Sequence, residues 1–410
     1  MVLNSIWLGL FFIAALSGAL RWASGADPQV FASMSTALFE AAQSAIELVI
    51  GMAGALTLWM GLLKLAEAGG AVRLLARAVA PLLRRVFPGL PPEHPAAGAM
   101  VLNFAANALG LDNAATPAGL RAMRLLQALN PHPDTATDHQ AMFMVLHAAS
   151  LTLFPIGIIA LRAAAGAADP ADVFLPLLVA SFCSALGGFL AAAAVQRLRL
   201  FDPVLLAWLL GAAALIGGAL WGLARLPAPQ VQAFSSQLGG ALLFAALLWF
   251  LALAAIKRLD AWSLFLDGAK EGLETSLRVA PYLVGMLAAV GVFRASGALE
   301  AIVHALWPLL AWTGLPDAAA PAIPTLLMKP LSGSAARGLM VDAMRAYGPD
   351  SFTARLSALF QGSTDTTLYV VTLYSGAAGL KRLRHTLPCA LAADAAGFAA
   401  AIAVAVLLFR

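Results

Sequence analysis

Asn103-Phe-Ala-Ala-Asn107-Ala-Leu-Gly110-Leu-Asp112-Asn113-Ala-Ala-Thr116-Pro117-Ala-Gly119-Leu is the stretch on which the fold turns. Apolar sequence leads into it, and a helical pattern resumes after it. Three Asn, one Asp, one Thr, one Pro and two Gly interrupt an oily chain here. Hydrocarbon offers no hydrogen-bond partners, so such a segment survives only where protein buries it or a wet cavity receives it. The stretch therefore reads as two short helical pieces joined near Asp112–Pro117, with Pro117 in the first turn of the second. It also reads as the first half of a site.

Composition sets the class. The 410 residues are 61% hydrophobic and 11% charged, with mean hydropathy +0.85; soluble domains carry about 25% charged residues. Several apolar runs are long enough to cross a bilayer, so an all-α polytopic membrane protein of the bacterial inner membrane is expected. A net charge of +4 orients loops in such a chain. No basic patch is interleaved with aromatics, which excludes a nucleic-acid partner. The chain has no GxxxxGK[ST] phosphate loop, so no nucleotide-driven engine is built in. Cys183 and Cys389 sit far apart in apolar runs and read as core residues. Ser5 to Leu20 lacks a basic flank and reads as a first span rather than a cleaved signal.

Further spans are expected near 36–63, 140–161, 174–195, 203–224, 237–256, 279–293, 353–375 and 388–409. Residues 70–86, with Arg73, Arg77, Arg84 and Arg85, suit an amphipathic interfacial helix. Residues 260–278 form a polar connector, and 297–313 a second amphipathic piece. Another polar interruption follows: Lys329-Pro-Leu-Ser332-Gly333-Ser334-Ala-Ala-Arg337-Gly338.

The two halves share one order of parts: a span with Glu47 or Glu274, an amphipathic piece, a Pro-containing loop, a polar break, a polar-studded span and a final span. Placing Arg197 with Arg199, Lys257 with Arg258, and Lys381, Arg382 and Arg384 in the cytoplasm is self-consistent. Span 140–161 then runs outward and 353–375 inward, so the repeats are inverted. Arg345 and Arg355 fall on the outer side, against the rule.

Asn107-Ala-Leu-Gly-Leu-Asp-Asn113-Ala-Ala-Thr-Pro-Ala-Gly-Leu-Arg-Ala-Met123 resembles the signature of bacterial spore maturation protein A. Lys329 to Gly338, Gly348-Pro-Asp-Ser351 and Gln361-Gly-Ser-Thr-Asp-Thr-Thr-Leu-Tyr369 resemble that of spore maturation protein B. The chain thus looks like a fusion of the two, an A-like repeat over 1–200 and a B-like repeat over 260–410, with a connecting hairpin over 201–259. That family is similar to the nucleoside-recognition, or Gate, group, which includes concentrative nucleoside transporters and the membrane part of a ferrous-iron permease. The resemblance implies a transporter-like fold with re-entrant or broken helices, and no particular solute. Neither Cys lies in a polar break, which argues against iron.

The candidate solute-binding residues are Asn103, Asn107, Asp112, Asn113 and Thr116 from one break. Ser332, Gly333, Ser334 and Arg337 come from the other, and Gln361, Ser363 and Thr364 from the polar-studded span. Asn103 and Asn107 share a helix face and serve either helix–helix bonding or a solute. Asp112 or Asn113 either caps the second short helix or binds solute with its exposed N–H groups. Arg337 and Lys329 need anionic partners, from Asp365, from Glu47 or from the solute. Asp365, with Glu47, is the candidate for coupling a proton or Na⁺. His139 and His147 lack an evident third ligand, so no metal or other cofactor is expected.

The function expected is a secondary transporter or permease for a small polar solute, nucleoside-like or anionic, working by alternating access. It is not expected to be an enzyme, and a homo-oligomer is left open. The rival is a non-transporting membrane scaffold assisting envelope assembly. An intramembrane enzyme would need His147 within hydrogen-bond reach of Asp365.

Overall fold

The computed structural model describes the backbone of all residues except 1, 92–93, 110–111, 199, 201, 224–227, 312–314 and 410. Side chains of 2–6, 112–114, much of 212–239, 278–279, 282, 306 and 309–311 also lie outside the described set. The described chain is helical, with one isolated bridge at Thr135 and Arg382. The helices are α1 (Val2–Ala23), α2 (Val30–Gly69), α3 (Ala71–Val86), α4 (Pro95–Ala108), α5 (Asp112–Ala128) and α6 (Asp138–Ala149). Then follow α7 (Ile156–Ala164), α8 (Phe174–Gln196), α9 (Pro203–Leu223), α10 (Ala228–Ile256), α11 (Ala261–Ala295) and α12 (Ala298–Ala311). A 3-10 turn at Asp317–Ala322 leads into α13 (Ile323–Met328), α14 (Gly333–Tyr347), α15 (Phe352–Gly362), α16 (Thr367–Ala378) and α17 (Thr386–Phe409).

Among the described residues, α2, α8 and α17 are each long and apolar enough to cross a membrane. Leu283–Ala295 and Ala298–Ala305 pass the same test together, bent by 73° at the turn between them.

Contacts divide the chain into two units. Unit 1 holds residues 1–60, 156–170 and 268–361; unit 2 holds 61–155, 171–267 and 362–410. The core of unit 1 packs Leu10, Met34, Met286, Phe293 and Leu339. That of unit 2 packs Met100, Met123, Phe143, Phe189 and Tyr374. In unit 2, α8 and α17 approach through small residues. A β-carbon on Gly187 would stand 2.4 Å from Ala396 Cβ, and one on Gly188 2.8 Å from Ala393 Cβ. Close backbone approach of this kind is how helices associate without a hydrophobic drive.

Three expectations are corrected. Spans 140–161 and 353–375 are each broken, at 150–155 between α6 and α7 and at 363–366 between α15 and α16. Pro155 explains the first, since it lacks an N–H for the helical ladder. Asp365 therefore sits in a break rather than within a span. Second, the connector 260–278 and the span after it form one helix, α11, with Pro281 inside it. Third, α5 begins at Asp112, so neither Asp112 nor Asn113 is the residue before the helix, and Pro117 falls in the second turn.

The loops lock reciprocally. In unit 2 the loop before α6 is held by the segment after α16: Asp134 O accepts from the N–H groups of Lys381 (2.9 Å) and Arg382 (2.8 Å). Ala136 N donates to Arg382 O (2.9 Å), and Arg384 Nη1 donates to Asp138 Oδ1 (2.7 Å). In unit 1 the loop before α15 is held by the segment around the end of α7. Arg162, fully buried, donates to Pro349 O (2.7 Å), Asp350 Oδ1 (3.2 Å), Asp169 O (3.3 Å) and Pro170 O (3.3 Å). Ala168 N donates to Asp350 Oδ2 (2.9 Å). The motif Gly348–Ser351 thus has a structural cause, and Arg355 closes it from α15 by donating to Asp350 O. Arg345 is exposed.

A polar cluster at three chain breaks

In unit 2 the breaks are tied to one another through backbone. Leu153 N, in the α6–α7 break, donates to Ala108 O at the end of α4 (2.7 Å). Asp365 N, in the α15–α16 break, donates to Ala148 O in the last turn of α6 (2.8 Å). The ends of α4 and α6 therefore spend carbonyls that a helix terminus leaves open. Ser150, at the end of α6, takes a left-handed conformation (φ 40°) to make the first break.

Side chains then converge. Asn103, fully buried on α4, donates from Nδ2 to Ala115 O on α5 (2.7 Å), while its Oδ1 meets His147 Nδ1 (3.0 Å). That bond makes Nδ1 the protonated nitrogen and leaves His147 Nε2 to face Asp365 Oδ2 at 3.9 Å. Tyr374 OH lies 3.4 Å from the His147 ring nitrogens and 3.5 Å from Asn103 Nδ2, with its ring edge-on to His147. One turn along α4, Asn107 Nδ2 donates to Ser150 Oγ (3.3 Å), which meets Thr152 Oγ1 (3.3 Å). Asp365 is partly exposed, and its Oδ1 accepts from Thr366 N (2.6 Å).

Beside this cluster stands an acid that sequence reading passed over. Asp394 is buried in α17 and accepts from Thr367 Oγ1 at Oδ2 (2.7 Å). Gly397, one turn on, faces Ser184 and Thr364: a β-carbon there would lie 2.9 Å from Ser184 Cβ and 3.2 Å from Thr364 Cγ2. Ser184 Oγ and Thr364 Oγ1 are buried with no partner among the described residues. An acid within an apolar helix was the available signal.

Asn103, Asn107, Ser363, Thr364 and Asp365 all belong to unit 2. Ser363 is buried, and Thr116 is half-buried on α5. The side chains of Asp112 and Asn113 lie outside the described residues. Unit 1 holds the other candidates. Ser332 Oγ caps α14 by accepting from Ala335 N (3.2 Å). Gln361 Nε2 donates to Gly333 O (3.4 Å), while its Oε1 and Ser357 Oγ have no partner among the described residues. Lys329 is buried; Ser334 and Arg337 are half-buried. Glu47 is exposed on α2 and accepts from Gln43 one turn earlier (3.0 Å). His139 faces Pro88 O (2.9 Å) rather than His147, and no described group of His, Cys, Asp and Glu could hold a metal. Both cysteines are free.

The family model described as nucleoside recognition, or Gate, matches residues 49–166 and 276–381, more than half of the chain. The protein belongs to the Gate, or nucleoside-recognition, family. Each match covers one polar break and one broken helix pair, from α4 to α7 and from α13 to α16. The chain is 48% identical over 145 residues to spore maturation protein B of Bacillus subtilis (strain 168), covering 35% of this chain and 80% of that protein. It is 32% identical over 193 residues to spore maturation protein A of the same organism, covering 46% of this chain and 93% of that protein. These shares are consistent with a fusion of the two. With its apolar helices, this Gate protein is a helical membrane protein.

Proposed function

We propose that this Gate protein is a multi-pass secondary transporter of the bacterial inner membrane, moving a small polar solute by alternating access. The observation that carries the reading is the convergence of three chain breaks on Asn103, His147 and Asp365. Backbone that leaves the helical ladder within apolar sequence is costly. Transporters accept that cost because broken helix ends present N–H and C=O groups to a solute. Amide groups from Asn103 and Asn107, hydroxyls from Ser150 and Thr152, and the carboxylate of Asp365 suit a solute with several donors and acceptors, such as a nucleoside. The family description points the same way. Asp365 with His147 is the coupling pair in this reading, and no covalent step is required. Glu47, exposed and bonded within its own helix, is given no part.

The repeats are inverted in this proposal. Its support is the reciprocal locking, in which each repeat's entry loop is held by the other repeat's exit segment. The basic segments Arg197, Lys257–Arg258 and Lys381–Arg384 then share the cytoplasmic side.

The test is uptake into proteoliposomes holding the purified protein, with labelled nucleosides under an imposed proton or Na⁺ gradient. Gradient-dependent uptake that Asn103→Leu abolishes supports the reading. Uptake equal to empty vesicles for every nucleoside, amino acid and organic anion tried rules it out. A second reading, a scaffold for envelope maturation, is favoured by the relatives' names and by the burial of Asn103, Asn107 and Ser150. It is supported if transport-null protein still restores an envelope defect in cells lacking the gene.

A further inference from the structure

Helices α3 and α4 enclose a cavity of about 560 Å³ in unit 2, away from the breaks. That volume lies in the range of roughly 300–1,000 Å³ typical of ligand pockets. Phe87, Met100 and Gly98 contribute to walls that are mostly apolar, while Arg73, Arg77 and Arg84 stand on its rim. The three arginines are four and seven residues apart, so they lie along one face of α3. All three are exposed, and none pairs with an acid among the described residues; their neighbour Arg85 does, with Asp202. Lys257 adds to the charge: its Nζ and Arg73 Nε lie 2.8 and 3.9 Å from the place a Gly70 β-carbon would take. Cations gathered without counter-charges above an apolar slot repel one another unless an anion sits among them.

We propose that this cavity is a binding site for an anionic phospholipid of the surrounding bilayer, with the phosphate on the arginine row and acyl chain in the slot. The chemistry has two parts, and the site matches both. Guanidinium groups recognise phosphate oxygens through paired N–H donors. The apolar walls take hydrocarbon that water would reject. An amphipathic helix with basic residues lies where headgroups are. A soluble anion would use the rim and leave the slot unfilled. The inference does not depend on transport, because no residue of the break cluster takes part.

The experiment is native mass spectrometry of the full-length protein in neutral detergent, titrated with dioleoyl phosphatidylglycerol and, separately, dioleoyl phosphatidylcholine. Preferential retention of phosphatidylglycerol is expected. Arg77→Gln with Arg84→Gln should reduce that preference by about fivefold per arginine. The exposed pair Arg345→Gln with Arg382→Gln, neither of which lines the cavity, should leave it unchanged. Gly98→Leu fills the slot, and a β-carbon at Gly98 meets nothing within 4 Å, so the variant should fold and lose the preference. Equal retention of the two lipids overturns the proposal. So does an effect of the control pair as large as that of the rim pair, which would mean diffuse surface charge. Full retention of the preference by folded Gly98→Leu, or full displacement of lipid by glycerol phosphate, assigns the rim to a soluble anion and overturns it too.

Discussion

His147 Nε2 stands 3.9 Å from Asp365 Oδ2, where the last turn of α6 meets the break between α15 and α16. The separation is too long for a hydrogen bond and short enough for strong electrostatic influence. The two residues lie 218 positions apart in sequence and are joined by the backbone bond from Asp365 N to Ala148 O. A movement of the break relative to α6 would change this distance together with that backbone bond. A proton or cation bound here would thus be linked to the state of the break.

Asp365→Asn keeps the shape and the Thr366 contact while deleting the charge. In proteoliposomes the variant should lose gradient-driven uptake by roughly 5–150-fold, the range of a coupling free energy of ~1–3 kcal/mol. Exchange at equal pH on both sides should fall less. If driven uptake and its pH profile match the unmodified protein, Asp365 does not couple.

Asn103 holds α4 against α5 and orients His147 in one tautomer. Asn103→Leu would leave His147 Nδ1 without its buried acceptor and delete the tie from α4 to Ala115 O. The cost is about 1–3 kcal/mol for each buried group left unmet. Tyr374→Phe removes only contacts of 3.4–3.5 Å and should cost under about 1 kcal/mol. Thermal unfolding in detergent should rank the variants in that order; the reverse ranking would mean that the tyrosine hydroxyl carries the cluster.

Gly119 admits no side chain. A β-carbon there would fall 2.2 Å from Tyr374 Oη, 2.6 Å from its Cζ and 2.8 Å from Asn103 Nδ2. Gly119→Ala must displace the ring and the amide together, with an overpacking cost of about 1–3 kcal/mol. Combining it with Tyr374→Leu should recover part of the loss, because the clashing ring is gone. A double variant no more stable than Gly119→Ala alone would place the strain elsewhere.

The polar stretches 103–117 and 329–338 and the family are legible in the sequence, because polar residues in an oily chain are conspicuous. The breaks at 150–155 and 363–366 are not legible there, for a local reason. Thr152, Thr364 and Thr366 are tolerated in apolar helices, where a hydroxyl can bond to its own backbone. His147 and Asp365 stand together in the sequence only as what an intramembrane enzyme would need; that they lie 3.9 Å apart is a product of tertiary folding. Arg162 was overlooked because it flanks a loop otherwise free of basic residues, although it organises the motif at 348–351. The Gly119–Tyr374 contact left no periodic trace at all.

Arg162 is a buried cation neutralised by Asp350 and bonded to the backbone carbonyls of Pro349, Asp169 and Pro170. Without Arg162 its three backbone carbonyls lose a buried donor, at about 1–3 kcal/mol for each left unmet, while Asp350 keeps Arg355 and Ala168 N. Arg162→Met should therefore unfold the protein at markedly lower temperature. Asp350→Asn should cost less, since the amide oxygen can still accept from Arg162 and from Ala168 N. Similar midpoints for Arg162→Met and the unmodified protein would show that the loop before α15 is held by something other than this pair.

Asp394 is the least expected acid in the chain, 2% exposed within the helix α17. A charge at the middle of a spanning helix costs roughly 2.5–3.5 kcal/mol on insertion scales. Asn at 394 retains an oxygen for Thr367 Oγ1 without that cost, so Asp394→Asn should equal or exceed the unmodified protein in thermal stability. Asp394→Leu offers no acceptor and should lower stability by about 1–3 kcal/mol. Thr367→Val should lower it as well, because it takes away the donor at 2.7 Å. Should Asp394→Asn prove as unstable as Asp394→Leu, the carboxylate itself is required. The buried hydroxyls of Ser184 and Thr364 would then be the first places to look for what it holds.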